Sequence, residues 1–492
     1  MHVTSLVIEL LRGGLGNLAA YLATHVLLCL LPAFYIAGAM TALIPKETVT
    51  RFLGRNTPRM VSYPAAAMAG SLLAVCSCTI VPLFAGIYKK GAGIGPAITF
   101  LFFAPAANIL ALVYTGGVIG ADLAFARFFL SLAFGVGIGL IMALLFRSAD
   151  AAHDEATDAM FAAQNAAGMH PAALTFLLIW VALLLAGTLK IGVLTGFYFQ
   201  LSLPLPGVAE LQALLDGLVP YDAGKGEEGL SVQGVALISL LAAIGVASWH
   251  GFERVHEGYN RWTWMAAGLI ALTLLVAALN VQSGASGLSI GFTGKFFGVL
   301  IALLALVWLG RTRLTEDELR DWLWESWRFV KQIFPLLVVG VFFVGVIRVV
   351  VRPEWIESLA GSNTLLGNLA GVTFGVFMYF PTLVEVPIAK MFLGLGMHRG
   401  PLLAYLMADP ELSLQSILIL SAIIGKLRAW TYVGWVALFS TLAGLIYGMW
   451  VDGTSLGLLV LFLAAFLAVL APALWLASRY TPREPLLRKP GF

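Results

Sequence analysis

The sequence predicts an all-α polytopic membrane protein made of two related halves, arranged as inverted repeats with a broken or re-entrant helix in each and extra helices inserted between them. Three observations carry this. Hydrophobic residues make up 60% of the chain and charged residues only 11%, with a mean hydropathy of +0.92, whereas soluble domains carry about 25% charged residues. The apolar residues gather into stretches long enough to cross a bilayer, for which about 20 residues are needed. Finally, the chain repeats itself when slid by 305 positions, which brings Pro82 onto Pro387.

The elements follow in order. After an N-terminal segment, 1–19, the first repeat, 20–147, holds apolar segments at 20–44, 62–88, 96–119 and 121–146. Met1 to Gly16 contains Glu9 and Arg12 and lacks a basic-then-apolar leader, so no cleavable signal peptide is expected. A polar loop, 148–171, leads to inserted central helices in 172–309, with segments at 172–199, 232–249, 262–280 and 294–309 and an acidic Pro- and Gly-containing loop at 201–231. An amphipathic connector, 310–330, carries Trp322, Trp324 and Trp327. The second repeat, 331–450, has segments at 331–351, 366–394, 400–423 and 427–450, followed by a C-terminal transmembrane helix, 455–477, and a basic cytoplasmic tail, 478–492.

At the same 305 offset Gly91 meets Gly396, Gly95-Pro96 meets Gly400-Pro401, Pro105 meets Pro410, Gly120 meets Gly425 and Gly139 meets Gly444. These residue types dictate backbone geometry, so their coincidence marks a structural repeat. Basic residues test its orientation. If 62–88 and 366–394 each fold as a helix-break-helix hairpin returning to its own side, then Lys46, Arg51, Arg55, Arg59, Lys89, Lys90, Arg254, Arg261, Lys426, Arg428 and the tail fall inside, and the acidic loop and Asp452 fall outside. Arg352, His398 and Arg399 remain as misfits. Each half then contributes three full crossings, and the second is upside down relative to the first, which is the plan of many secondary transporters.

Composition excludes a soluble enzyme, a disordered chain and a nucleic-acid binder, since a net charge of +3 offers no basic stripe. No Walker or HExxH pattern occurs, so neither ATP-driven transport nor a zinc hydrolase is supported, and the expected cofactor set and metal set are both empty. The three cysteines, Cys29, Cys76 and Cys78, all lie in apolar stretches.

The chemistry concentrates at the helix breaks. Cys76-Ser77-Cys78 precedes Pro82, a residue that removes a backbone donor, and in an unwound stretch both thiols can converge on one soft centre. The other reading of the pair is apolar packing. The matching segment holds Pro381, Thr382, Glu385 and Pro387. An ionisable residue at that depth is a functional candidate by default, so Glu385, with Asp409, is assigned to proton coupling; the structural alternative is an ion pair with a basic residue such as Lys390 or Lys426. Pro105 and Pro410 predict two further breaks, followed by Asn108 and Ser413, which either satisfy freed carbonyls or face the pathway. Asp409 and Glu411 replace Ala104 and Ala106 of the first half, so the polar load is asymmetric. His250 and His256, six apart, read as a solvated pair rather than a metal site.

The run from Cys76 through Pro82, Gly86, Gly91, Gly93 and Gly95-Pro96 to Pro105-Ala-Ala-Asn108 resembles the first signature of the ArsP-type (YraQ-like) predicted permeases. Pro381-Thr382-Leu-Val-Glu385-Val-Pro387, with Leu406-Met407-Ala-Asp-Pro410-Glu-Leu-Ser413, resembles the second. The resemblance covers about 20–147 and 329–450, leaving the central helices as a departure, together with the polar Asp409. It implies a multi-pass permease of the cytoplasmic (inner) membrane, and characterised members of the family export trivalent organoarsenicals such as methylarsenite with the Cys-Ser-Cys element implicated. Cys76, Cys78, Asn108, Pro381, Thr382 and Ser413 become the expected substrate-binding set. The partners expected are a small-molecule solute and the lipid bilayer, with a homo-oligomer allowed. Two alternatives stay open: a permease for another small solute, such as a sulfur compound or anion, with structural cysteines, or a transmembrane thiol-redox protein.

Overall fold

A computed structural model describes residues 2–24, 28, 30–44, 46–72, 77–161, 171–188, 192–219, 221–222, 227–284, 287–350, 354–377 and 382–480. The first half consists of α1 (His2–Thr24), α2 (Leu31–Ala42), α3 (Lys46–Leu53), α4 (Arg59–Leu72), α5 (Ser77–Lys89), α6 (Ile94–Ala106), α7 (Ile109–Val118), α8 (Ala121–Leu145) and α9 (Arg147–Phe161). The centre holds α10 (Pro171–Thr188), α11 (Gly192–Thr195), α12 (Val208–Leu218), α13 (Val232–Gly251), α14 (Arg261–Ala278) and α15 (Gly294–Thr312). The second half is α16 (Glu316–Val350), α17 (Glu354–Ala360), α18 (Leu365–Phe377), α19 (Thr382–Gly394), α20 (Arg399–Ala408), α21 (Leu414–Ile424) and α22 (Lys426–Val451), followed by α23 (Leu456–Tyr480). Among the described residues, eight helical stretches are long and apolar enough to cross a membrane, and five shorter apolar helices accompany them. The chain is an all-α polytopic membrane protein.

Several boundaries differ from the sequence reading. The N-terminal segment is helical throughout its described part and runs into the first apolar stretch as α1, so 20–44 is divided between α1 and α2. The amphipathic run at 310–330 is no separate connector: from Glu316 it continues without interruption into the following span, giving a helix of 35 residues with Pro335 inside it. Its tryptophans pack and bond rather than sit free, Trp322 Nε1 donating to the Tyr35 carbonyl (3.0 Å) and Trp327 Nε1 to Glu253 (2.7 Å). Between the central helices lies a small antiparallel sheet, β1 (Phe197–Leu203), β5 (Gly287–Thr293) and β4 (Asn280–Gly284) in that order, beside a short pair, β2 (Tyr221–Asp222) and β3 (Glu227–Glu228). Its two longer strands are rich in aromatic, β-branched and small residues without a helical period, and the pairing of Leu201 with Ile290 and of Phe199 with Phe292 uses them.

The halves share their backbone devices position by position. Gly91 and Gly396 both end a helix in the left-handed region, at φ 89° and 91°, where only glycine sits without strain. Gly95 on α6 lies against Gly139 on α8, and Gly400 on α20 against Gly444 on α22. A Cβ on Gly139 or Gly444 would stand 2.7 or 2.6 Å from the partner's carbonyl oxygen, so glycine is what lets these helix pairs approach so closely.

The two helix-break-helix segments each start and finish at one place. Leu53 O accepts from Gly93 N (2.8 Å), beside a bridge between Gly54 and Ala92, so the chain leaves into α4 and comes back from α5 at the same point. Ala360 O accepts from His398 N (2.9 Å), which does the same for α18 and α19. The four hairpin helices have 13 or 14 residues, about 20 Å at 1.5 Å per residue, short of the ~30 Å hydrocarbon core. Arg55, at the foot of the first hairpin, approaches Asp150 just beyond the C-terminal end of α8 (4.0 Å), whereas Arg399, at the foot of the second, bonds Asp122 at the N-terminal end of α8 (2.8 Å). The 25 residues of α8 separate these ends by about 37 Å. The feet of the two hairpins therefore lie at opposite ends of one membrane-long helix.

Candidate functional site

The breaks that the prolines predict fall in two classes. α6 ends one residue after Pro105, and α20 ends at Ala408 with Pro410 directly beyond its cap, so these prolines do mark helix ends. Pro82 and Pro387 do not: each is the sixth residue of a regular helix, α5 or α19. The correction has a simple cause. A proline near the start of a helix forfeits only one carbonyl partner, so α5 and α19 run through it; α4 ends at Leu72 and α18 at Phe377, and residues 73–76 and 378–381 lie outside the described residues. Cys76 and Pro381 lie outside the described residues, and Cys78 and Thr382 are described only as backbone of the first turns of α5 and α19.

Asn108 and Ser413, expected to bind substrate, are occupied by the breaks themselves. Asn108 caps α7, its Oδ1 accepting from Ala111 N (2.8 Å) while Nδ2 donates to the carbonyls of Ala104 (3.0 Å) and Pro105 (3.3 Å). One side chain thus closes α6 and opens α7. Ser413 caps α21 through Ser416 N (3.3 Å) and donates to Ser416 Oγ (2.7 Å). Both side chains thus make hydrogen bonds that satisfy backbone groups freed at the breaks. Asp409, buried, is the C-cap of α20, its N–H donating to Tyr405 O (2.8 Å), and its backbone rests on Gly375 of α18.

Glu385 is fully buried on α19, but neither Lys390 nor Lys426 is its partner. That partner is Arg127 of α8, also fully buried, whose Nη2 stands 2.7 Å from Glu385 Oε1. Its Nε donates to the carbonyl of Ala106 (2.7 Å), at the α6–α7 break, and Nη1 donates to Thr115 Oγ1 of α7 (3.2 Å). The first half's broken helix positions the guanidinium, and the second half's hairpin brings the carboxylate to it. The ion pair sets the two buried charges against each other, since a lone buried ion in the bilayer is costly, while Glu385 Oε2 has no hydrogen-bond partner.

The same construction recurs at the 305 offset with different chemistry. Tyr432 of α22 occupies the position of Arg127, and Glu411 that of Ala106; the Tyr432 hydroxyl donates to Glu411 Oε2 (2.6 Å). Ile80, the counterpart of Glu385, faces them from α5, and with Val81, Leu101, Pro410, Ser416 and Leu420 encloses a cavity of about 10 Å³, room for about one water. In both sites the returning helix of one hairpin meets the broken helix of the other half.

A family profile described as "Predicted permease" (ArsP_1) matches residues 13–449. The chain belongs to the ArsP_1 family of predicted permeases. It is 32% identical over 451 residues to the UPF0718 protein MJ0584 of Methanocaldococcus jannaschii, spanning 91% of this chain and 99% of that relative. It is 26% identical over 163 residues to the UPF0718 protein YraQ of Escherichia coli, covering 31% of this chain and 46% of the relative. No solved structure matches. The archaeal alignment leaves too little of the permease outside it to omit the central helices, so these are shared with that relative rather than peculiar to this chain.

Sequence reasoning missed Arg127 and Tyr432. For Arg127 the signal was present: an arginine seven residues into an apolar segment of 25 is as conspicuous at membrane depth as Glu385. Tyr432 carries no such mark, and only its register against Arg127 distinguishes it.

Proposed function

We propose that this permease is a secondary transporter of the cytoplasmic membrane that exports a soft, thiophilic solute such as a trivalent organoarsenical by alternating access between two inverted repeats. Cys76, between α4 and α5 in sequence, and Cys78, in the first turn of α5, capture the solute, and Glu385 links the halves through Arg127. The observation that carries the reading is the buried Arg127–Glu385 pair, which ties the hairpin of one half to the broken helix of the other at 2.7 Å. Movement of one half against the other must break or carry that pair, so access to the two sides is coupled to a discrete rearrangement. Hairpin feet at opposite ends of α8 support the inverted arrangement. Two of the three misfits in the charge pattern fit the same orientation, since Arg399 is neutralised by Asp122 (2.8 Å) and His398 lies 3.0 Å from Asp452, while Arg352 lies outside the described residues. Thiolates bind soft centres, and a metalloid with one organic substituent offers two positions for two thiols.

The test is uptake of methylarsenite into everted vesicles bearing the wild type or the Cys76→Ser/Cys78→Ser double variant, with and without a proton gradient. Uptake that is lost in the double variant is the expected result. Uptake unchanged by the double substitution would assign the cysteines to packing, and absent wild-type uptake in vesicles of verified content would move the substrate to another chemical class.

A further inference from the structure

The two pseudo-equivalent sites differ in one respect that bears on energy coupling. At the first, a carboxylate faces a fixed cation: Arg127 is fully buried, holds Glu385 at 2.7 Å, and is itself held by Ala106 and Thr115. A guanidinium stays charged at any physiological pH. Protonating Glu385 would therefore strand Arg127 in the bilayer, and this pair is a poor place for a proton that comes and goes. At the second site the position of Arg127 is taken by Tyr432, a hydroxyl without charge, yet a carboxylate is still present, Glu411, only 5% exposed. Its Oε2 is bonded to Tyr432, while Oε1 has no hydrogen-bond partner and Glu411 lines the small cavity.

Among the described residues, the charged and titratable groups around Glu411 are few. Tyr432 faces it from α22, and Glu385 on α19 is within Coulombic reach. Asp409 precedes it by two residues. From α5, α6 and α21 it meets Ile80, Val81, Leu101, Ser416 and Leu420, none of them titratable. No fixed cation is among these groups, so the counter-charge has to be mobile. A metal cation fits badly: hard cations take six or more oxygens in their shell, whereas the Ser416 hydroxyl is engaged by Ser413, Glu411 Oε2 by Tyr432, and the cavity holds about 10 Å³.

We infer that Glu411 is the proton-carrying group of this permease, with the exchangeable proton on Oε1, while the Arg127–Glu385 pair keeps its charges throughout. Loading forms an O–H bond on Oε1 with a proton taken from hydronium, which becomes neutral water; release breaks that bond and hands the proton back to water as hydronium, leaving a carboxylate held by Tyr432. The inference rests on the transporter reading for its role in coupling, but the protonation itself is measurable without any substrate.

The experiment is infrared spectroscopy of the full chain in proteoliposomes at pH 7, where ordinary carboxylates are ionised, recording the carbonyl band of a protonated carboxylic acid. The band is expected in the wild type, in Glu385→Gln and in Glu411→Asp, and its loss is expected in Glu411→Gln, an isosteric change whose folding is verified by gel filtration and thermal unfolding. A band that survives Glu411→Gln, that vanishes in Glu385→Gln instead, or that is absent from the wild type overturns the inference. In the vesicle assay, Glu411→Gln should retain methylarsenite exchange and lose its stimulation by a proton gradient; stimulation that persists also overturns it. Failure of the wild type to transport methylarsenite would defeat the substrate reading while the infrared result still decides Glu411.

Discussion

Replacing Arg127 by Met tests the buried pair most directly. The substitution keeps much of the apolar stem and removes a charge that is fully buried 2.7 Å from Glu385. Breaking a buried ion pair from one side costs about 3–5 kcal/mol, because the partner is left charged and dry. The two further bonds lost, to Ala106 O and Thr115 Oγ1, add roughly 1 kcal/mol each. Glu385→Leu alone should cost about 3–5 kcal/mol for the same reason with the sign of the stranded charge reversed. The double variant leaves no stranded charge, so its cost should fall to about 2 kcal/mol, the two Arg127 bonds. A double-mutant cycle, read from SDS-induced unfolding of the purified chain in mixed micelles by tryptophan fluorescence, should therefore show a coupling energy of at least about 3 kcal/mol. Additive single effects would refute the ion pair as the link between the halves.

The close helix crossings make a second prediction. A Cβ on Gly444 would sit 2.6 Å from Gly400 O and collide with the Asn368 side chain, whereas one on Gly434, in the same helix, meets nothing within 4 Å. Gly444→Ala should thus destabilise by about 1–3 kcal/mol or more, and Gly434→Ala should match the wild type in thermal unfolding; equal behaviour of the two would argue against the tight crossing. A third prediction concerns pH. Burial tends to raise the Glu253 carboxyl, but hydrogen bonds from Lys331 Nζ (2.6 Å) and Trp327 Nε1 (2.7 Å) outweigh it and hold the group below its ordinary value. With a lowered folded pKa, its contribution to stability is complete above the unfolded value of about 4.3 and is lost as pH falls through the folded value. Melting temperatures of Glu253→Gln should accordingly lie below the wild type near neutrality and converge with it in acid, and a constant gap would show that the carboxylate charge is irrelevant.

The amino-acid sequence by itself determined the class of molecule and much of its plan. An apolar chain in a bilayer must satisfy its backbone internally, so long apolar stretches become helices whatever packs against them. Prolines and glycines act through their own backbone restrictions, which is why the 305 repeat was legible from Gly91, Gly95, Pro105 and Gly139 and why helix ends at Pro105 and Pro410 could be placed. Asn108 and Ser413 were legible as break residues for the same local reason, but whether they turned inward to the backbone or outward to a pathway depends on which carbonyls lie free nearby.

The pairing of charges belonged to the tertiary structure. Glu385 sits five residues from Lys390 and 258 from Arg127 in the chain, and sequence proximity favoured the wrong partner. What decides is that α19 returns from its turn against α7 and α8 of the other half, a docking set by shape between distant helices. The same docking, seen through the repeat, turns Ile80, Glu411 and Tyr432 from three unrelated residues into one cavity. A periodic pattern specifies which face of a helix is apolar, not which neighbour will cover it, and Arg127, Glu385 and Glu411 all lie buried at such covered faces.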